Sequence, residues 1–274
     1  MKYLVLGSSG QIGKPYVMYL RNMGHTVREF DILRDKEEDL RVPNNKMLYR
    51  ALDWADYVIF LAWDVGGAPY LIKHQNTYQF IINNAAIATN TFKALEYYQT
   101  PFIFASSQMA NMSFSSYGVT KTLGELLSNS INGRVVKFWN VYGPEHDYAR
   151  SHVISDFIRK AKLTKIIDMM TDGKEERQFL HVDDCSRALY TISQKHFTIS
   201  PTIPLHIASF EWNNILDIAT IIKELLPEIT IIPGISSDIT QKGIRNEPDK
   251  SILSLWQPSI TLKEGIKMIM REGN

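Results

Sequence analysis

The 274-residue chain predicts an α/β fold, a doubly wound parallel sheet with a smaller C-terminal substrate-binding lobe. Three observations predict it. Short apolar runs alternate with helix-period stretches through the first half of the chain. The first run, Lys2–Leu6, passes straight into the glycine pattern Gly7-Ser8-Ser9-Gly10-Gln11-Ile12-Gly13. The next apolar segment closes on a carboxylate, Asp31.

In chain order, strands are expected at 2–6, 26–31, 57–62, 102–106 and 134–139, with helices at 11–23, 46–53, 76–98 and 117–130. Such alternation implies parallel strands covered by helices on both faces. Past Gly143-Pro144 the pattern turns irregular: 152–162, 183–194 and 213–225 read as helical, 175–181 and 204–208 as extended. The segments near 180 and 205 are short and apolar enough to return to the main sheet. The expected division is a dinucleotide-binding domain over 1–145 and a substrate-binding lobe over 146–274, with 176–194 and 204–209 returning to the first domain.

The glycine pattern carries chemistry because of its neighbours. A strand before it and a helix after it let the backbone turn sharply, approach a pyrophosphate and offer free helix N–H groups. Gly7, Gly10, Gln11, Ile12 and Gly13 are therefore candidate phosphate contacts. Asp31 can accept from both ribose hydroxyls of NAD and would repel the extra phosphate of NADP, so NAD is the expected cofactor.

Composition narrows the class. Lys+Arg 30 against Asp+Glu 29 leaves no basic field for nucleic acid. One cysteine, Cys185, excludes an internal disulfide framework and a cysteine metal cluster. A first strand beginning at residue 2 leaves no room for a signal peptide, and apolar runs such as Tyr57–Trp63 fall far short of a membrane span. A soluble enzyme of a reducing compartment, the cytoplasm, is expected.

Tyr117-Gly118-Val119-Thr120-Lys121 puts a tyrosine and a lysine four apart, on one helical face. Such pairs arise about once by chance in a chain of this composition, so spacing alone decides nothing. Position makes it informative. The pair follows the strand Pro101–Ala105, whose end carries Ser106-Ser107, and strand carboxyl ends face the crevice of a doubly wound sheet.

Glycine fingerprint, serine after a later strand and Tyr-x-x-x-Lys together resemble the extended short-chain dehydrogenase/reductase family with its Rossmann domain. Within it the chain is similar to the NAD-dependent nucleotide-sugar epimerases and dehydratases. Further matches run in order along nearly the whole chain: Leu61-Ala62, Asn84 and Asn90, Phe138-Trp139-Asn140-Val141-Tyr142-Gly143-Pro144, Arg177–Asp184, Leu205–Ala208 and Arg245. The resemblance implies that Ser107, Tyr117 and Lys121 are catalytic. It implies that Asp39, Leu40, Leu61, Ala62, Tyr117 and Lys121 join the glycines and Asp31 around NAD. It places Asn140, Arg177 and Arg245 on a UDP-, GDP- or dTDP-linked sugar, with Val153 in the segment beside the nucleobase.

Those residue types suit the chemistry. Lowering a tyrosine from about 10 to about 7 asks for roughly 4 kcal/mol, which the Lys121 ammonium, a positive nicotinamide ring and limited water are expected to supply. Tyr117 would then take the C4 hydroxyl proton while Ser107 stabilises the developing ketone. Where the dehydratases carry an acid just after the catalytic serine, this chain has Gln108 and Met109, which favours 4-epimerisation over elimination. A 4-keto-sugar reductase, a 4,6-dehydratase and a catalytically silent NAD-binding sensor are the alternatives.

The Ser107–Tyr117 and Asp31–Asp39 links are also shorter than in most relatives, and Trp63 stands where a small residue is common. Trp63 reads equally as core packing or as a wall of the sugar pocket. Glu145-His146-Asp147 and His152 invite a metal or acid/base reading, but a solvated polar loop is preferred and no metal is expected. Cys185 and His181 read as structural. The stripe Ala85, Ala86, Ile87, Ala88, Phe92 and Leu95 reads as core or, by the resemblance, as half of a four-helix homodimer interface.

Overall fold

A computed structural model describes residues 1–145, 147–238 and 240–272. The chain runs β1 (Lys2–Leu6), α1 (Gly13–Asn22), β2 (Thr26–Phe30), α2 (Lys46–Trp54), β3 (Tyr57–Phe60), α3 (Ala68–His74), α4 (Tyr78–Tyr98), β4 (Phe102–Ser107), α5 (Ser116–Ser130) and β5 (Arg134–Phe138). It continues through β6 (Val141–Tyr142), α6 (Val153–Thr164), β7 (Ile166–Asp168), β8 (Glu176–Arg177), β9 (Leu180–His181), α7 (Val182–Gln194) and β10 (Leu205–Ile207). β11 (Asn213–Asn214), α8 (Ile215–Leu225), β12 (Thr230–Ile232) and α9 (Leu262–Glu272) complete it.

Six parallel strands form the central sheet in the order β10-β5-β4-β3-β1-β2. Strands covered on both faces must be apolar throughout, and every residue of β3 and β4 is buried. Side-chain alternation splits the core in two. Leu4, Leu6, Phe60 and Phe104 face α2, α4 and α5, while Tyr3, Val5, Ile59 and Ile103 face α1 and α7. A third cluster, including Phe157, Ile218 and Ile266, holds α6, α8 and α9 together. β1 pairs with β2 on one side and β3 on the other, so a crevice opens at the carboxyl ends where the winding reverses.

Two expectations need correction, and a third is narrowed to one of its readings. The segment near 180 does not enter the main sheet. The edge beside β5 is taken by β10, and β9 pairs instead with β6, Val141 against Leu180. The helix expected from 76 begins at Tyr78, where Thr77 caps Phe80 N at 3.3 Å, and α3 precedes it unforeseen. Two glycines and a proline before Tyr70 make α3 read as loop. In the expected α4 stripe, Ala88, Phe92 and Leu95 are wholly committed to the sheet core. The large hydrophobic side chains left exposed on α4 and α5 are Tyr78, Ile81, Ile82, Tyr97, Val119 and Leu126. Among the described residues, no helix is long and apolar enough to cross a membrane.

Candidate active site

One cavity of about 1870 Å³ follows the crevice from the glycine turn to the C-terminal lobe. Its floor is set by close backbone packing after β1. Gly7 has φ +86°, and a Cβ there would lie 2.6 Å from Ala62 N. A Cβ on Gly13 would overlap the Gly7 carbonyl. Gly10 differs: its Cβ would meet nothing closer than Gly7 O at 3.4 Å, an ordinary contact. The chain's own packing thus explains Gly7 and Gly13, whereas Gly10 leaves backbone bare toward the cavity.

Gln11 Nε2 is buried without a partner, a donor awaiting an acceptor. Ile12 stands before the first turn of α1, where helix amides lack intrahelical partners. Asp31 is fixed at the wall: Oδ2 accepts from Ser9 N and Oδ1 from Leu33 N, each at 2.9 Å. Bare backbone, an orphan donor and an anchored carboxylate fit a dinucleotide.

The neighbouring loops are pinned to this floor. The amides of Leu61 and Ala62 both donate to Leu6 O at 2.9 Å. Asp39 takes a bidentate bond from Arg41, which holds its carboxyl below the usual range, and Leu40 is buried in the core. Asn90 secures that loop by donating to Leu40 O and Arg41 O at 3.1 and 2.9 Å. Asn84 does the same beyond β3, bonding both the amide and the carbonyl of Asp64.

Ser107, Tyr117 and Lys121 converge on the cavity. The short link between them is taken up by a 3₁₀ turn over Gln108–Asn111, capped by Ser107 Oγ on Met109 N at 3.1 Å. Gly118 lets α5 start directly on this turn, since a Cβ would overlap Met109 O. The Ser107 and Tyr117 hydroxyls both line the cavity at this corner. Lys121 Nζ donates to Ala105 O at 2.6 Å and sits 4.1 Å from the centre of the Trp63 ring. Trp63 is therefore both core and cavity wall, its indole nitrogen buried without a partner.

Burial, more than any neighbouring charge, sets the electrostatics of this corner. It pushes the Tyr117 phenol up to about 12, and the Ser107 hydroxyl offsets only part of this. Burial also drives Lys121 well below its usual value, with the Glu125 charge opposing. Glu125 in turn accepts from Ser106 Oγ at 2.5 Å and pairs with Lys137 at 3.3 Å beneath the site.

Toward the lobe, Asn140 Nδ2 donates to Gln178 O at 3.3 Å, and Val153 opens α6 at the cavity wall. Arg177 reaches the same wall but is paired with Asp238 at 2.7 Å. Arg245 lies outside the cavity lining, ion-paired to Glu176 and Glu247 and stacked 4.1 Å over Trp212. Gln108 is buried, its carbonyl accepting from Asn246 at 3.0 Å. Cys185 is wholly buried in the core, where burial pushes its thiol up.

One constellation was weighed and set aside in the sequence, and another escaped it. The first corrects the solvated loop: Glu145 is buried, accepting from His152 N at 2.8 Å and facing His152 Nδ1 at 2.7 Å. His146, part of the same expectation, lies outside the described residues. The second is a strap across the cavity mouth. Asp64 accepts from Tyr70 at 2.6 Å and Asn83 at 3.0 Å and pairs with Arg150 at 3.4 Å, while Arg150 stacks 4.5 Å over Tyr70. The first closes the short connection between β6 and α6, whereas the second joins segments distant in sequence.

Comparison with known proteins agrees with this geometry. The chain is 25% identical over 317 residues to GDP-mannose 3,5-epimerase 1 of Oryza sativa subsp. japonica, covering 97% of this chain and 80% of that protein. Its fold superposes with a TM-score of 0.81 on UDP-glucose 4-epimerase of Thermotoga maritima, at 21% identity, covering 99% of this chain and 98% of that one. A GDP-6-OMe-4-keto-L-xylo-heptose reductase from C. jejuni gives 0.85 at 19% identity, covering 99% and 97%. Residues 3–203 match the family described as NAD dependent epimerase/dehydratase, which spans the crevice, the Ser107–Tyr117–Lys121 corner and the segment through Arg177. With glycine cradle, anchored Asp31 and hydroxyl pair all inside that match, the chain belongs to the NAD dependent epimerase/dehydratase family.

Proposed function

We propose that the protein is a nucleotide-sugar epimerase that inverts C4 through a transient 4-keto sugar. The observation that supports this most is the hydroxyl pair of Ser107 and Tyr117, set beside Lys121 in the same cavity as the glycine cradle. Gly7, Gly10, Gln11, Ile12, Gly13 and Asp31 would hold NAD, with Asp39, Leu40, Leu61 and Ala62 walling it in. Bound NAD supplies the acceptor and donor of hydride at C4 and a positive ring beside the phenol. Tyr117 would take the C4 hydroxyl proton and give it back to the C4 oxygen once hydride has returned to the other face of C4. Ser107 donates to the C4 oxygen as it becomes a ketone. Lys121, held by Ala105 O and the Trp63 face, orients the cofactor side of the corner.

In this reading, residues 1–145 carry the dinucleotide and 146–274 the sugar nucleotide, which meets Asn140, Val153 and Arg177. Arg245 reaches a phosphate only by leaving Glu176. Elimination lacks its acid, since Gln108 and Met109 carry no carboxyl. The exposed apolar faces of α4 and α5 suit a homodimer, and the single buried cysteine suits the reducing cytoplasm.

The deciding experiment is proton NMR of UDP-, GDP- and dTDP-sugars with purified protein and no added reductant. New anomeric signals at a fixed ratio, without net NADH, support the epimerase. Stoichiometric demand for NADH would transfer the assignment to a 4-keto-sugar reductase. Tyr117→Phe should lower turnover about 10²- to 10⁴-fold while NAD stays bound. Wild-type turnover in that variant would sink the reading.

A further inference from the structure

We propose that His152, oriented by Glu145, is a second acid/base group of the cavity, acting on the carbon–hydrogen bonds adjacent to a sugar ketone. This rests on the reading of the cavity as a nucleotide-sugar site.

Both Glu145 and His152 line the cavity that contains Ser107 and Tyr117. Glu145 is 93% buried at its side chain, so its two oxygens need partners, and His152 provides both. Oε2 accepts from the backbone N–H and Oε1 faces Nδ1 at 2.7 Å. Burial pushes the Glu145 carboxyl up, but the His152 and Ser155 hydrogen bonds outweigh it and hold the group below its usual value. An ionised carboxylate only accepts, so Nδ1 carries the proton in this pairing and Nε2 carries the lone pair in neutral imidazole.

The rotamer and the tautomer are thus both fixed by one buried carboxylate. The imidazole is 37% exposed, open to exchange its proton with water. Its backbone is set against the loop beyond β3: a Cβ on Gly67 would stand 3.2 Å from His152 Cα. The same loop begins with Trp63, which covers Lys121. His152 therefore shares the cavity wall with the loop whose Trp63 covers Lys121.

Once C4 is a ketone, the hydrogens on C3 and C5 are acidic. Nε2 takes one such proton, and the C–H electron pair moves through the new C=C bond onto the C4 oxygen, beside Ser107 and Tyr117. Return of a proton to carbon restores the ketone, and no oxidant is consumed. Delivery from the opposite face would invert C3 or C5. Delivery from the same face leaves the sugar unchanged except for its isotope.

The test uses holoenzyme with preformed UDP-, GDP- and dTDP-linked 4-ketohexoses in D2O, followed by proton NMR. Wild type should wash deuterium into C3 or C5 at least ten-fold faster than buffer. His152→Asn should fall to the buffer rate while retaining NAD and its unfolding temperature. Glu145→Gln should cut exchange about ten-fold with KM unchanged, since the amide still accepts from the His152 amide but no longer fixes the ring. Wild-type exchange at the buffer rate on all three, or undiminished exchange in a folded His152→Asn, overturns the proposal. Because the ketone is supplied, exchange is read independently of hydride transfer. Wash-in without any epimer at C4 would reject the C4 reading and keep this one.

Discussion

Gly10 and Gly13 stand three residues apart, yet the structure asks different things of them. A methyl on Gly13 would strike the Gly7 carbonyl inside the β1–α1 turn, while one on Gly10 would meet only ordinary contact. Gly13→Ala should therefore cost about 2 kcal/mol or more of stability, as overpacking against backbone does. Gly10→Ala should leave thermal unfolding nearly unchanged and weaken NAD binding at least ten-fold. Paired melting curves and NAD titrations separate the two, and a Gly10→Ala protein that binds NAD normally would remove that residue from the cradle. The residues of this turn were legible because strand, glycines and helix act locally. So was the Tyr117–Lys121 pair, whose members share one helix face. The bond between Asp64 and Arg150 was not, because it joins segments whose approach only the folded chain determines, and the local Glu145–His152 cluster was visible but its burial was not. The direction of the Tyr117 shift was also hidden, since burial, its largest cause, is a property of the packed site.

At the scale of elements, strand-length apolar runs revealed β3 and β4 most directly, since double-sided burial leaves no polar alternation to confuse them. β9 was placed wrongly because two residues carry no period, and its partner is chosen by what the edge of β5 leaves free. α4 and α5 show the same limit from the other side. Periodicity found the apolar positions but not which of them face a neighbour. With Ala88, Phe92 and Leu95 inside, the faces available to a second copy are Ile81 and Ile82 on α4 and Val119 and Leu126 on α5. Leu126→Asp should convert a dimer to monomers in light scattering while NAD still binds, because Leu126 is 64% exposed and lies outside the cavity lining. An unchanged mass for a dimeric wild type would place the interface elsewhere.

For the molecule as a whole, acid sensitivity follows from two imidazoles held neutral by burial, His196 and His206, of which His196 is the more enclosed. His196 Nδ1 lies 2.7 Å from the Tyr57 hydroxyl, and burial, reinforced by the Arg134 charge, pulls its pKa down to about 4. In the unfolded chain it titrates near 6.5. Between these values the unfolded state binds a proton that the folded state refuses, so stability rises with pH across the window. It is intact above about 6.5 and should fall by up to roughly 3 kcal/mol as pH drops to 4. Urea unfolding at pH 7 and 4.5 checks the sign, and His196→Gln should reduce the slope but leave the part due to His206. A wild type more stable at pH 4.5 than at 7 would contradict it.

The sheet order also has a meaning for synthesis on the ribosome. β5 ends at Phe138, but the strand that covers its edge, β10, begins at Leu205. Roughly 65–70 residues must be added between them, which at about 5–20 residues per second leaves the edge bare for several seconds. Throughout that interval the nascent chain offers an unpaired row of amides and carbonyls flanking Val135 and Val136, a template for joining another chain. The last strand to arrive is thus the one that ends the protein's exposure to aggregation.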